Sequence, residues 1–170
     1  MVAKGSMSME FLSIAIRSEI DAQNTYRELA QRVSTPNAKE RFYLLVTEER
    51  QHQDLLERKY KELFPNQALH IPPSLLPPTV SKTALRKKLD LLEVLSLAIQ
   101  AERESRKLYL DAAAAVGDPN GRAMLTFLAD WEYSHQKMLT AEREMLKKYP
   151  TCYDEGEPWK KGTHPRKGRR

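Results

Sequence analysis

A set of four residues, Glu19, Tyr26, Glu49 and His52, recurs 83 positions later as Glu102, Tyr109, Glu132 and His135. Residues 10–56 align onto residues 93–139 without a gap, with sixteen identities in forty-seven positions. The turn pair Pro36-Asn37 against Pro119-Asn120 and Leu45 against Leu128 are among them. A duplicated segment ordinarily keeps its apolar residues and lets its polar surface drift. Here Glu, Tyr and His stay in register while many neighbouring polar residues differ, which marks a duplicated site and not a duplicated scaffold alone. One Glu followed by Glu-x-x-His, supplied twice, is the ligand set of a carboxylate-bridged di-metal centre in a four-helix bundle.

The apolar pattern predicts the helices that would carry it. Leu12, Ala15, Ile16, Glu19, Ala22, Tyr26, Leu29 and Val33 recur at spacings of three and four, one stripe of an α-helix over about residues 9–33. Thr35 is a natural N-cap and Pro36 suits the first position of a second helix, which runs to about residue 63 and stops before Pro65. Its inward residues are expected to be Phe42, Leu45, Glu49, His52, Leu56 and Leu63. Asp90 and Glu93 form a capping-box candidate for a third helix with Leu95, Ala98, Ile99, Glu102, Tyr109 and Ala113 inward. Gly117-Asp118-Pro119 then stops that helix and caps a fourth, which ends near Tyr149-Pro150. The repeats so defined are 10–64 and 93–147, joined by a connector over 65–89. The two Pro-Pro pairs at 72–73 and 77–78 forbid a regular helix through the first part of the connector, while residues 81–88 are read as a short basic helix. Short turns inside each half make antiparallel hairpins, whereas a connector of this length can cross the bundle from end to end. The fold class is therefore all-α, a four-helix bundle of two repeated hairpins with one long crossover.

Composition agrees with a single domain over residues 9–149. The 170 residues are enough for an ample core, and 30% charged residues with only 6 glycines suit a helical protein outside the membrane. No apolar run approaches the ~20 residues of a membrane span, and the opening MVAKGSMSMEF resembles no secretory signal. Residues 1–8 are set aside as an irregular start or an expression scar. Cys152 stands alone, which excludes an intrachain disulfide and any Cys-x-x-Cys metal site, and points to a reducing, cytoplasmic setting. The formal charge of +5 is concentrated in the tail, where Lys160, Lys161, Arg166, Lys167, Arg169 and Arg170 follow one another with no acid. Such a tail, within the irregular segment 150–170, can attract nucleic acid or an acidic partner. The plainer reading, a solvated terminus, is preferred, and nucleic acid is not an expected partner.

The spacing of the carboxylates separates a site from a decorated surface. Each Glu-x-x-His lies thirty residues after another repeated Glu, from 19 to 49 and from 102 to 132. In antiparallel hairpins this brings four carboxylates and two imidazoles to one depth of the core. Burying an ionised carboxylate without a partner costs several kcal/mol, so four together need protons or cations. Two divalent metals balance four carboxylates and leave the imidazoles as neutral ligands. The competing arrangement would leave these residues exposed and paired with Arg17, Arg50 or Arg103. Glu19 and Glu102 lie on the apolar stripe, which argues against it. Oxygen-rich ligation with one nitrogen per metal suits iron or manganese, and zinc can substitute. Tyr26 and Tyr109, seven residues after a Glu on the same helix face, can donate to a ligand carboxylate. Glu48, just before Glu49, is placed to accept from His135. Its counterpart Trp131 cannot accept, so His52 is expected to turn to Asp130 or a backbone carbonyl.

At these residues the chain closely resembles the rubrerythrin-like branch of the ferritin-like superfamily. The segments AIRSEIDAQNTY, TEERQHQDLL, AIQAERESRKLY and DWEYSHQKML look like its four signature helices, and the resemblance covers about residues 9–148. It implies a ferritin-like bundle holding two iron ions. Glu19 and Glu102 would then be terminal ligands, Glu49 and Glu132 bridges, and His52 and His135 each a ligand to one iron. It also implies peroxide reduction, ferrous iron oxidation or a role in iron storage. Two features depart from the family pattern. The single cysteine excludes a rubredoxin domain, and Ser105 stands where rubrerythrins carry an additional Glu that moves with redox state. The expected function is a di-iron oxidoreductase reacting with oxygen or hydrogen peroxide and served by an external electron donor, with a homodimer as the expected assembly. A ferroxidase feeding iron storage and a bundle with structural metal acting as a binding module are the alternatives.

Overall fold

The computed structural model describes residues 7–34, 36–74 and 91–150. Among the described residues there are four helices and no strand. They are α1 (Met9–Arg32), α2 (Pro36–Leu63), α3 (Leu91–Ala115) and α4 (Pro119–Lys148). α1 packs along α2 and α3 along α4, each pair joined by a short turn, and α1 also faces α3.

The starts of α1 and α4 are set by side chains that occupy backbone donors a helix leaves open. Ser8 Oγ accepts from the Phe11 amide at 3.1 Å, and Asp118 accepts from the amides of Asn120 and Gly121 at 3.3 and 2.8 Å. Ser8 and Met7 therefore belong to the fold and not to an irregular start, because Met7 is buried as well. The capping roles read for Thr35 and Asp90 lie outside the described residues. So do residues 1–6, the connector from residue 75 onward with its basic helix, Cys152 and the basic tail. The described part of the connector, 65–74, is not helical. Side chains tie it down: Tyr60 Oη donates to the Ala68 carbonyl at 2.9 Å, and Ser74 Oγ donates to Asp21 on α1 at 2.9 Å.

The predicted stripes face inward. Leu12, Ala15, Ile16 and Leu29 of α1 are fully buried, as are Leu45 and Leu56 of α2 and Leu125, Leu128 and Leu139 of α4. Ala22 and Leu63 lie half-buried at the rim. These side chains form two separate apolar cores. One gathers Tyr26, Leu29, Phe42, Leu45, Leu95, Ile99 and Leu139. The other gathers Leu12, Ile16, Leu56, Tyr109, Leu125 and Leu128. Adding 83 to a residue of one core lands in the other: Tyr26 becomes Tyr109, Leu45 becomes Leu128, and Leu12 and Leu56 become Leu95 and Leu139. The duplication is thus expressed as an approximate two-fold axis, with the cores at opposite ends and a polar layer between them.

Candidate metal centre

The polar layer contains all four repeated carboxylates and both imidazoles. Glu49 is 0% exposed, and Glu19, Glu102, Glu132, His52 and His135 are between 1% and 4%. They fall into two overlapping groups whose candidate ligand atoms all lie within 4.8 Å of one another. Glu19, Glu49, His52 and Glu132 form one, and Glu49, Glu102, Glu132 and His135 the other. Glu49 and Glu132 belong to both, while Glu19 and Glu102 each belong to one. Arg17 pairs with Asp21 and Arg50 with Asp54, and Arg103 is exposed, so none of them neutralises the layer.

The oxygens and nitrogens are oriented toward a shared interior. Tyr109 Oη donates to Glu19 Oε1 and Tyr26 Oη donates to Glu102 Oε1, so each tyrosine crosses to the other half of the duplication. The second oxygen of each carboxylate, Oε2, has no hydrogen-bond partner although it is buried. Glu49 lies between the two rings, with Oε2 3.0 Å from His52 Nδ1 and Oε1 2.7 Å from His135 Nδ1. The second of these contacts is short yet not aligned as a hydrogen bond, and both atoms count as buried without a partner. Atoms arranged about a common point, and not along a line toward each other, give that combination of closeness and misalignment. Buried polar atoms are almost always satisfied, so four orphaned ligand atoms in one layer fit a centre that accepts cations. His52 and His135 lie nearly stacked, with ring centroids 5.6 Å apart.

Electrostatics leads to the same view. Burial, and next the charge of Glu49, push the Glu19 carboxyl up to about 8. Burial and the charges of Glu49 and Glu102 push Glu132 well above the carboxylate range. Burial would also raise Glu49, but the imidazoles of His135 and His52 overcome it and hold this carboxyl well below that range. Burial would lower His52, yet the carboxylates of Glu19 and Glu49 raise it to about 9. His135 is raised well above its ordinary value, against burial, by Glu102, Glu132, Glu48 and Glu49. Carboxyls pushed up beside imidazoles pushed up are the mark of a layer that must hold protons when it holds no other cation.

Outside this cage the two halves differ. His135 Nε2 lies 3.1 Å from Glu48 Oε2, the partner expected from the sequence. At the matching place the edge of Trp131 stands against His52, with centroids 5.7 Å apart. Neither Asp130 nor a carbonyl among the described residues takes the Nε2 proton of His52, contrary to expectation. Asp130 lies exposed on the outer face of α4. Ser105 hydrogen-bonds Ser18 across α1 and α3 at 2.7 Å, and both line a cleft of about 260 Å³ that reaches Tyr26 and Glu102. Ser18 had no signal of its own in the sequence. Gln23 and Gln53, joined at 2.7 Å and both buried, were likewise unread because a glutamine between helices looks like any surface glutamine.

Tyr109→Phe tests the tyrosine contacts. It would leave Glu19 Oε1 buried without a donor, and a buried acceptor stranded in that way costs about 1–3 kcal/mol. Thermal denaturation of the metal-free protein should show a loss of that size. An unchanged midpoint would mean that the hydroxyl does not support the carboxylate.

A four-helix bundle with two overlapping Glu/His groups at mid-height is the architecture of ferritin-like diiron-carboxylate proteins. The rubrerythrin family model matches residues 10–143, and the chain belongs to the rubrerythrin family. Among solved structures, a hypothetical protein from Pyrococcus furiosus is 27% identical with a TM-score of 0.70, covering 84% of this chain and 92% of its own. A protein from Thermotoga maritima, described as ferritin-like and diiron-carboxylate, is 26% identical with a TM-score of 0.65, covering 80% and 93%. The manganese catalase KatB from Anabaena shares the fold at 17% identity, with a TM-score of 0.62 and coverage of 92% and 81%. No curated protein matches the sequence. Among the described residues, no helix is long and apolar enough to cross a membrane.

Proposed function

We propose that this protein is a di-iron oxidoreductase that reacts with oxygen or hydrogen peroxide, by peroxide reduction or Fe(II) oxidation, and draws electrons from an external donor. The observation that carries the reading is the paired ligand cage, in which Glu49 and Glu132 are common to both groups. Glu19 and His52 complete one metal position and Glu102 and His135 the other, with manganese or zinc as possible substitutes for iron. A redox metal in each position supplies a pair of one-electron changes within one cage. The protein's part is to hold that cage steady. Tyr26 and Tyr109 fix one oxygen of Glu102 and Glu19 and leave the other toward the centre. Glu48 holds the Nε2 proton of His135, which keeps Nδ1 free as a ligand atom. The two apolar cores exclude water from both ends, and the cleft between α1 and α3 gives a small oxidant a route toward Glu102.

Ser105 bears on which reaction dominates. It is hydrogen-bonded to Ser18, and its hydroxyl cannot take the part of a mobile carboxylate. That favours a matched set of metal ligands that stay fixed through the redox cycle, of the ferroxidase kind. With one cysteine in the chain, repeated peroxide turnover should need an added donor. Mixing anaerobic Fe(II)-loaded protein with oxygen and, separately, with peroxide in stopped flow tests the proposal. A ferric absorption band should appear faster than oxidation of free Fe(II) in the same buffer with at least one oxidant. If both reactions run at the rate of free iron, the oxidoreductase reading fails and a structural metal takes its place.

A further inference from the structure

Resting on the metal reading above, we infer that the two metal positions are unequal in affinity, that the His135 position fills first and holds its ion, and that the His52 position exchanges. The difference lies in what each imidazole does with the nitrogen that faces away from the cage. His135 turns Nδ1 inward, at 2.7 Å from Glu49 and 3.6 Å from Glu102, and its Nε2 meets Glu48 at 3.1 Å. That carboxylate holds the proton on Nε2 and steadies the ring, which leaves Nδ1 as the nitrogen that would yield its proton to a metal. It also makes the ring a stronger donor to a metal.

His52 turns Nδ1 inward in the same way, at 3.0 Å from Glu49 and 3.5 Å from Glu19. Its Nε2, however, has no acceptor among the described residues. The equivalent of Glu48 is Trp131, whose ring stands edge-on at 5.7 Å and offers no lone pair. No protein acceptor then selects the tautomer that ligation needs, and the ring is held from the cage side and by its ring neighbours alone. The His52 side chain is 6% exposed against 2% for His135, so the looser ligand is also the one nearer to solvent. The inward distances are otherwise similar for the two rings. Glu132 Oε1 lies 4.0 Å from His52 Nδ1 and Glu132 Oε2 lies 3.8 Å from His135 Nδ1. Tyrosine donors support Glu19 and Glu102 alike. The two rings therefore differ at Glu48 and Trp131, while the terminal carboxylates differ in that Glu102 lines the cleft between α1 and α3 and Glu19 does not. An outer partner of a metal-ligating histidine typically accounts for 10–100-fold in affinity.

Two one-position proteins separate this inference from the reading beneath it. Glu102→Ala removes the terminal carboxylate of the His135 position, and Glu19→Ala removes that of the His52 position. Each leaves one tyrosine without its acceptor, so that cost cancels in the comparison. Calorimetric titration with Co(II), and anaerobically with Fe(II), should find that Glu19→Ala binds its single ion about 10–100-fold more tightly than Glu102→Ala. Adding Glu48→Leu to Glu19→Ala should remove that advantage. Trp131→Glu in Glu102→Ala should raise the affinity by supplying the missing acceptor. Wild-type protein titrated alongside reports on the metal reading itself: fewer than two ions per chain sinks that reading. Two ions per chain with equal affinities in the one-position proteins overturns the inference alone. Should either double variant fail to fold, Glu48→Leu in the wild-type background still decides. It must weaken the first binding step and leave the second, and equal weakening of both overturns the inference.

Discussion

Glu49→Ala and Glu132→Ala are each expected to lose both metal ions together, whereas Glu19→Ala and Glu102→Ala are each expected to lose one. The expectation follows from membership of the two ligand groups, since only Glu49 and Glu132 belong to both. Glu49 directs one oxygen toward each imidazole, at 3.0 and 2.7 Å, so its removal takes a ligand atom from either position at once. The truncated proteins should still fold. Glu132 is pushed well above the carboxylate range, so deleting it strands no charge, and deleting Glu49 leaves two imidazoles that can neutralise by losing a proton. Metal analysis after anaerobic reconstitution with Fe(II) measures the outcome, with circular dichroism to confirm the helices. If Glu132→Ala retained one full ion per chain, Glu132 would be a ligand to a single metal and the centre would not be bridged through it.

Stability of the metal-free protein should fall as pH rises from about 5 to 9, and the stabilisation gained from metal should grow over the same interval. Glu19 is raised from 4.5 to about 8, so between those values the native state keeps a proton that the unfolded chain has released. His52 is raised from 6.5 to about 9 and contributes stability that is complete below 6.5 and gone above 9. Glu132 and His135 are raised too and act in the same direction. Glu49 is depressed, so its contribution is lost only as pH falls below the carboxylate range, outside this interval. Each proton held by the native state alone steepens the decline by about 1.4 kcal/mol per pH unit. Two dications carry the same charge as four protons, so loading near neutrality should release about four protons per chain. Thermal melts with and without Zn(II) across pH 5–9, and calorimetry in buffers of different ionisation enthalpy, measure both effects. A flat stability profile with less than one proton released per ion would mean that the layer is not held together by protons when metal is absent.

Much of this was legible because the duplication preserved the physics of each element along with its residues. The helices could be read from stripes such as Leu12, Ala15, Ile16 and Glu19, and their ends from Asp118-Pro119 and Pro36. The cage could be read because four glutamates on apolar stripes have no cheap explanation but cations. Even Glu48 as the partner of His135 followed from its position just before Glu49. What escaped depended on directions that spacing does not encode. Trp131 could be recognised as unable to accept a proton, but its edge-on stance against His52 is decided by how an indole fills the space between helices. The Ser18–Ser105 and Gln23–Gln53 contacts join residues that are ordinary in isolation and become specific only when two helices meet. Met7 and Ser8 were set aside with the polar start of the chain, although a serine just before an apolar stripe was an available N-cap signal.

The polar layer between two mated apolar cores also governs how far one helix can slide past another. Leucine packing tolerates small axial adjustments, because an apolar side chain finds another apolar neighbour a little further along. The cage does not, since moving a helix by one residue shifts its ligand about 1.5 Å along the axis and turns it through about 100°. Bound ions would therefore act as a dowel through the middle of the bundle, locking four helices at one height. A single-residue insertion between Glu19 and Tyr26 would wrench a ligand from its tyrosine-supported mate, while the same insertion near Val33 would trouble only the nearer core. Variation in length should accordingly be tolerated toward the helix ends and forbidden across the centre.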